Sequence, residues 1–154
     1  MEALLLATTI TTGLVAGLFY AYSISVLPAL RGADAAILVE VMQRINKAIL
    51  NGWFFVCFVG AAVLGVATSI AYAVQGARPA LLLPVIVGAV LYVAQLVVTA
   101  RVNIPLNNAL DAAGSANPAG ARAGFESRWA RWNHVRTWLS TASLASYCFS
   151  LLQA

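Results

Sequence analysis

Four apolar stretches separated by two polar links and one short connection set the plan of this chain. Residues 3–27, 53–74, 80–102 and 135–152 each approach or exceed the roughly 20 apolar residues that carry a helix across a bilayer, and each is read as a membrane span. Pro28 closes the first span, since proline removes a rung of the helix ladder. Between spans one and two, Leu38, Val41, Met42, Ile45 and Ile49 recur at three- and four-residue steps. Glu40, Gln43, Arg44 and Lys47 take the opposite side, which predicts an amphipathic helix from Ala35 to Leu50 with Asp34 as its N-cap. Between spans three and four, RVNIPLNN (Arg101 to Asn108) reads as an Asn-rich turn around Pro105. A polar connection containing Gly114, Ser115, Asn117, Pro118 and Gly120 follows, and then a helix bearing Phe125, Trp129 and Trp132 runs into span four.

The fold class this predicts is all-α: an integral membrane, antiparallel four-helix bundle with amphipathic interfacial helices between spans 1 and 2 and between spans 3 and 4, forming one domain over 1–154. Gly13 and Gly17 make a GxxxG pair that permits close helix approach, and Gly60 and Gly65 lie in span two. Thr8 and Thr12 are expected to bond their own backbone carbonyls.

Composition closes off other classes. With 62% hydrophobic and 9% charged residues and a mean hydropathy of +0.86, the chain is too apolar for a soluble domain, which carries about 25% charge. The apolar run from Ala3 lacks the basic leader of a cleaved signal peptide and is read as a retained first span. Three Lys or Arg lie between spans one and two, one between spans two and three, and five from Arg101 to Arg136. The basic links are therefore expected in the cytoplasm and both termini outside. The same bias accounts for the net charge of +4 without nucleic acid as a partner. The Ala-, Leu- and Val-rich composition suits a bacterial cytoplasmic membrane. Cys57 and Cys148 sit singly in apolar segments as free thiols, and no group of residues has metal-ligand spacing, so no metal is expected.

The polar residues inside apolar segments are the candidates for chemistry. At about 100° per residue, Trp129, Asn133, Arg136, Thr137 and Ser140 share one helical face with His134 at its margin, and such a stripe must face protein or water. Tyr92, Gln95, Thr99 and Asn103 share a face of span three, where Gln95 reads either as interhelical glue or as a ligand contact. Tyr20, Tyr22 and Ser23 end span one near the same surface. Antiparallel spans bring the two long links to one end, which collects Tyr20, Ser23, Asn46, Asn51, Thr99, Arg101, Asn103, Asn107, Asn133, His134 and Arg136. That pattern predicts a pocket with aromatic walls and a few convergent polar groups. The competing readings are an interfacial belt of Trp and Arg and a set of hydrogen bonds pinning helix ends together.

The segments AGLFYAYSISVLPAL (Ala16 to Leu30), MQRINKAILNGWF (Met42 to Phe54), NIPLNNAL (Asn103 to Leu110) and WARWNHVRTWLSTAS (Trp129 to Ser143) together resemble the anthrone oxygenase-like family of small four-span membrane proteins. The resemblance implies an oxygenase that converts a tricyclic anthrone to the anthraquinone with dioxygen as co-substrate and no established cofactor. On that footing His134 is the candidate general base. Arg136, Arg101, Asn103, Asn107 and Asn133 are candidates to hold the enolate oxygen, and Trp129, Trp132, Trp138 and Tyr20 to stack on flat rings. Ser23, Asn46, Asn51, Gln95, Thr99 and Thr137 complete the expected substrate contacts. The expected partners are a small hydrophobic aromatic substrate and membrane lipid, with a homo-oligomer left open. A second reading is a non-catalytic membrane protein that binds a lipid or small hydrophobic molecule, or a subunit partnering another enzyme. A transporter ranks third, because no carboxylate lies within the spans.

Overall fold

The computed structural model describes residues 1–114 and 116–153, so Ser115 of the polar connection lies outside the described residues. Its helices are α1 (Glu2–Ala21), α2 (Leu27–Arg31), α3 (Ala35–Ala48), α4 (Gly52–Val74), α5 (Pro79–Val98), α6 (Ile104–Ala112) and α7 (Pro118–Leu151), with π turns at Tyr22–Val26 and Thr99–Asn103. In the bundle, α7 packs against α1 and α5, and α4 packs against the same two helices. Three helical stretches, Glu2–Arg31, Gly52–Val74 and Pro79–Ala112, are long and apolar enough to cross a membrane. The expected span at 135–152 is the C-terminal half of α7, a single helix of 34 residues whose N-terminal half is charged.

Two departures from expectation share one cause. Pro28 does not end the first helix, and RVNIPLNN is no loop. In each place a π turn precedes an X-Pro step, and the helix resumes as α2 or α6 with proline in its first turn. Proline lacks an N–H and crowds the carbonyl four residues back. A turn widened to i→i+5 bonding, Leu27 N–H to the Tyr22 carbonyl and Ile104 N–H to the Thr99 carbonyl, relieves that clash without breaking the rod.

The resumed helices carry a second, shorter layer. Leu27 and Leu30 of α2, Leu38, Val39 and Met42 of α3, Leu110 of α6, and Phe125 and Trp129 of α7 form one buried cluster that closes the basic end. Arg122 fastens it, donating to the carbonyls of Arg31 and Ala33 at the end of α2 while pairing with Glu126 at 2.7 Å. The Gln43 amide donates to the Leu110 carbonyl at 2.8 Å. Asp34 occupies the N-cap position of α3 but makes no side-chain cap bond.

The bundle interior is stitched by hydroxyls, as suits helices that gain nothing from hydrophobic association in lipid. Ser143 donates to the Gly88 carbonyl at 2.7 Å, Ser150 to Leu81 at 3.2 Å, Tyr92 to Phe58 at 2.8 Å, and the Thr8 and Thr68 hydroxyls meet at 2.8 Å. Thr8 also bonds its own helix at the Leu4 carbonyl, whereas the Thr12 hydroxyl has no partner among the described residues. Close approach occurs away from the GxxxG pair. Gly17 has open space and Gly13 only ordinary contact with Leu144, while Gly65 and Gly88 lie directly against the buried Tyr147 ring. At the far end, α4 stops in a Schellman turn, with the Ala77 N–H on the Tyr72 carbonyl and Gly76 at φ +66°.

A Cβ on Gly88 would stand 2.7 Å from the Tyr147 ring, so Gly88→Ala should cost about 1–3 kcal/mol. The expected outcome is a thermal unfolding midpoint lowered by several degrees in detergent, whereas the same change made in a Tyr147→Ala background, itself destabilised by the cavity it leaves, should lower the midpoint little further. An unchanged midpoint in the single variant would show that the contact does not constrain the bundle.

Candidate functional site

The face of α7 foreseen from its periodicity is buried. Trp129, Asn133, Arg136, Thr137 and Ser140 all point inward, and His134, one residue past Asn133, turns to the exposed side. Arg136 is 6% exposed and is the one buried cation among the described residues. No carboxylate pairs with it there; the two ion pairs of the described residues are Arg44–Glu40 and Arg122–Glu126.

Neutral groups hold this charge instead. The Arg136 guanidinium donates to Asn133 Oδ1 at 2.8 Å, and Asn133 Nδ2 donates in turn to the Phe19 carbonyl at 3.2 Å and to Ser23 Oγ at 3.0 Å. Ser23 and Thr137 hydroxyls meet at 3.1 Å, so α1 and α7 are joined around the cation. Its carbon centre lies 4.3 Å from the Phe19 ring centroid and 5.3 Å from that of Trp129, both within cation–π range. Trp129 is fixed by its indole N–H, which donates to Asn107 Oδ1 at 2.7 Å, and by packing against Tyr22 and Phe125.

Beside Arg136 opens a cavity of about 220 Å³ at the basic end of the bundle. From α1 and its π turn come Leu18, Phe19 and Tyr22; from α3, Asn46, followed by Ile49 and Leu50 just past its end. The N-terminal turns of α4 contribute Phe54, Phe55 and Phe58, and the second π turn and α6 contribute Thr99, Asn103, Ile104 and Asn107. Trp129 and Arg136 complete the wall. Both π turns therefore contribute to the lining of this space. Four polar atoms on its lining residues are buried without a hydrogen-bond partner among the described residues: Asn46 Nδ2, Asn103 Nδ2 and Oδ1, and Arg136 Nε. Buried polar atoms are normally satisfied, so a cluster of unsatisfied ones marks a place suited to a ligand. Leu50, Phe55 and Ile104, exposed by 64%, 47% and 46%, put an apolar flank of the cavity at the outer surface of the bundle.

Of the residues singled out from sequence, Asn46, Thr99, Asn103, Asn107, Trp129 and Arg136 line this one cavity. Ser23, Asn133 and Thr137 stand behind Arg136 as its support. Gln95 lies fully buried one turn below Thr99, whose hydroxyl reaches Gln95 Oε1 at 3.3 Å; of its two readings, the interhelical bond is not made among the described residues, where Nε2 has no partner. The others do not join the cavity lining. Tyr20 and Trp138 are 54% and 76% exposed, Arg101 is exposed, and Trp132 is half-buried outside the lining. Asn51 caps α4 by accepting from the Phe54 N–H at 3.0 Å. His134 borders a separate pocket with Leu27, Arg31 and Glu126.

Missing from the sequence-derived set were the phenylalanines of the cavity wall. Phe54 and Phe58 stack at 4.8 Å, and Phe58 meets Phe19 edge-on at 6.4 Å. Their signal was faint: two phenylalanines four apart directly after the Asn51 cap, in a segment apolar throughout.

The comparisons bear on the same walls. The family described as Anthrone oxygenase matches residues 53–146, more than half of the chain. That stretch holds Phe54, Phe58, Asn103, Asn107, Trp129 and Arg136, and it leaves out the first helix and α3, hence Phe19, Tyr22 and Asn46. No curated protein and no solved structure matches the chain. With Arg136, Trp129 and the amides of Asn103 and Asn107 inside a match that covers more than half of its length, this chain belongs to the anthrone oxygenase family.

Proposed function

We propose that the protein is a membrane-embedded oxygenase that oxidises an anthrone-like aromatic polyketide to its quinone with dioxygen, and that it does so without metal or flavin. The observation that carries this reading is the buried Arg136, unpaired with any carboxylate among the described residues and facing an aromatic-walled cavity.

An anthrone carries an acidic methylene opposite its carbonyl, and loss of one proton gives an electron-rich enolate. One electron passes from that anion to dioxygen, and the resulting radical pair couples to a hydroperoxide at the former methylene carbon. Loss of the remaining C–H proton with cleavage of the O–O bond gives the second carbonyl and water. One anthrone and one dioxygen thus become one quinone and one water, with no outside reductant. Within this scheme the Arg136 guanidinium and the Asn103 amide stabilise the enolate oxygen, and such fixed donors are worth most in a site that excludes water. Phe19, Phe54, Phe58 and Trp129 form the slot for flat rings. Asn46 Nδ2 offers a further donor to a ring hydroxyl.

In the same reading α7 supplies the fourth crossing with its C-terminal half, and the basic end, where the cavity opens, faces the cytoplasm. Substrate made at or near that face enters beside Leu50 and Ile104.

Arg136→Gln, purified in detergent and checked for an unaltered unfolding midpoint, should lower kcat/KM for anthrone oxidation by about 10²-fold or more. The measurement is oxygen uptake with quinone appearance by absorbance. Tight binding of anthrones with no oxygen consumed by the wild type would instead make this a binding protein. For orientation, a cysteine at Gln75 in a Cys57→Ser, Cys148→Ser background should react with an impermeant maleimide from outside intact cells, and one at Ala113 only after lysis. The reverse pattern would invert the topology.

A further inference from the structure

The cavity has a cation and donors for an oxyanion, but nothing to take a proton. Its charged and titratable lining groups among the described residues are Arg136 from α7 and the Tyr22 phenol from the first π turn. Facing these, α3 presents Asn46, α4 presents only phenylalanines, and the second π turn and α6 present Thr99, Asn103 and Asn107. No carboxylate or imidazole is among them. His134, the chain's single imidazole, is on the opposite side of α7 from Arg136, and Asp34, Glu40, Asp111 and Glu126 all lie outside the lining. A neutral amide is no base in water. A phenol would have to be ionised first to act as one.

We infer that this cavity captures its substrate already ionised, as the enolate or phenolate, and that the substrate's own acidity rather than a residue of the protein provides the deprotonation. The inference rests on the reading of the cavity as the oxidation site. It narrows the substrate class to flat phenols and anthrones acidic enough to ionise in water, and among anthrones it favours rings whose hydroxyl beside the carbonyl donates to the enolate oxygen over the unsubstituted ring. The proton leaves to solvent at the membrane interface, where exposed Lys47, Asn51 and Arg101 lie close in sequence to the cavity residues. The anion then exchanges that hydration for Arg136 Nε, Asn103 Nδ2 and Asn46 Nδ2, all now without partners. Asn103 Oδ1, also unpartnered, can accept from an adjacent ring hydroxyl that stays protonated. Arginine suits this capture because its planar guanidinium is weakly hydrated and stays charged.

Two measurements test the inference separately from the oxygenase reading. The first uses 1-hydroxyanthraquinone, which cannot be oxidised in the proposed way and whose phenolate is distinguishable from its phenol by visible absorbance. Bound to the wild type it should ionise at a pH at least one unit below that of the free dye in the same detergent, and Arg136→Gln should abolish the shift. Binding of the dye as its phenol, with no shift or an upward one, would overturn the inference even if anthrones are oxidised rapidly. The second is the pH profile of kcat/KM over a series of ring-hydroxylated and ring-halogenated anthrones of graded acidity. Its rising limb should move in step with each substrate's own pKa and stay where it is in His134→Ala and Tyr22→Phe, whatever those changes do to the rate. A limb fixed at one pH for every substrate, or displaced by either substitution, would establish a protein base. If no anthrone is oxidised but the dye ionises as described, the oxygenase reading fails and the anion-selective cavity stands.

Discussion

A guanidinium inside an apolar bundle costs several kcal/mol unless something replaces its water. Around Arg136 the replacement is made from neutral parts: one amide, a relayed pair of hydroxyls and two aromatic faces. A carboxylate would satisfy the charge more fully, but it would also occupy the anion site and repel any enolate. The arrangement therefore keeps the cation in place without neutralising it, and its geometry depends on Asn133. That side chain faces Arg136 with its oxygen and α1 with its nitrogen, so the position of the charge is tied to the packing of α1 against α7.

The rest of the fold can be read as what that arrangement requires. Serine and threonine along the buried face of α7 let it lie close between α1 and α5, and the Tyr147 ring against Gly65 and Gly88 fixes its depth at the far end. At the near end the requirement is opposite, because a cavity must open without the helices parting. The two π turns meet it by widening the backbone locally, and proline two residues beyond each turn holds the distortion there. The α2, α3 and α6 layer then covers the opening from above with its own apolar cluster, leaving only the flank at Leu50, Phe55 and Ile104.

How much of this is legible in the sequence follows from whether a signal is local. The buried stripe of α7 is, because polar residues at a helical period in an apolar segment can point only inward, and the same arithmetic already sets His134 at the margin. Bringing Asn46, Asn103 and Asn107 to Arg136 needed only the antiparallel order of the helices. Two features escape such reasoning. Pro28 and Pro105 obey a local rule that stops a helix, yet the helix resumes because Leu27, Leu30 and Leu110 find partners on α3 and α7, which is a tertiary fact. Phe54 and Phe58 look like any other apolar residues of a membrane segment, so no contrast marks them as a wall. Tyr20, Trp132 and Trp138 lie outside the cavity lining for the opposite reason: aromatic residues at an interface stand out by type, while their facing is set by a single step of about 100°.

Each buried donor or acceptor left without a partner costs roughly 1–3 kcal/mol, and Asn46, Asn103 and Arg136 bring four such atoms to one small space. A bundle selected for stability alone would replace them with leucine or alanine, to which the surrounding phenylalanines and isoleucines are already suited. Their presence in an apolar setting is better explained by a guest whose oxygens complete them, and the chemistry of the guest follows from the count. Three donors, one of them cationic, and a single acceptor stand unpartnered on residues of one lining, a set that matches a ligand with one negative oxygen, a second accepting oxygen and one hydroxyl to give. A flat hydroxylated enolate has that pattern, whereas a phospholipid acyl chain has none of it.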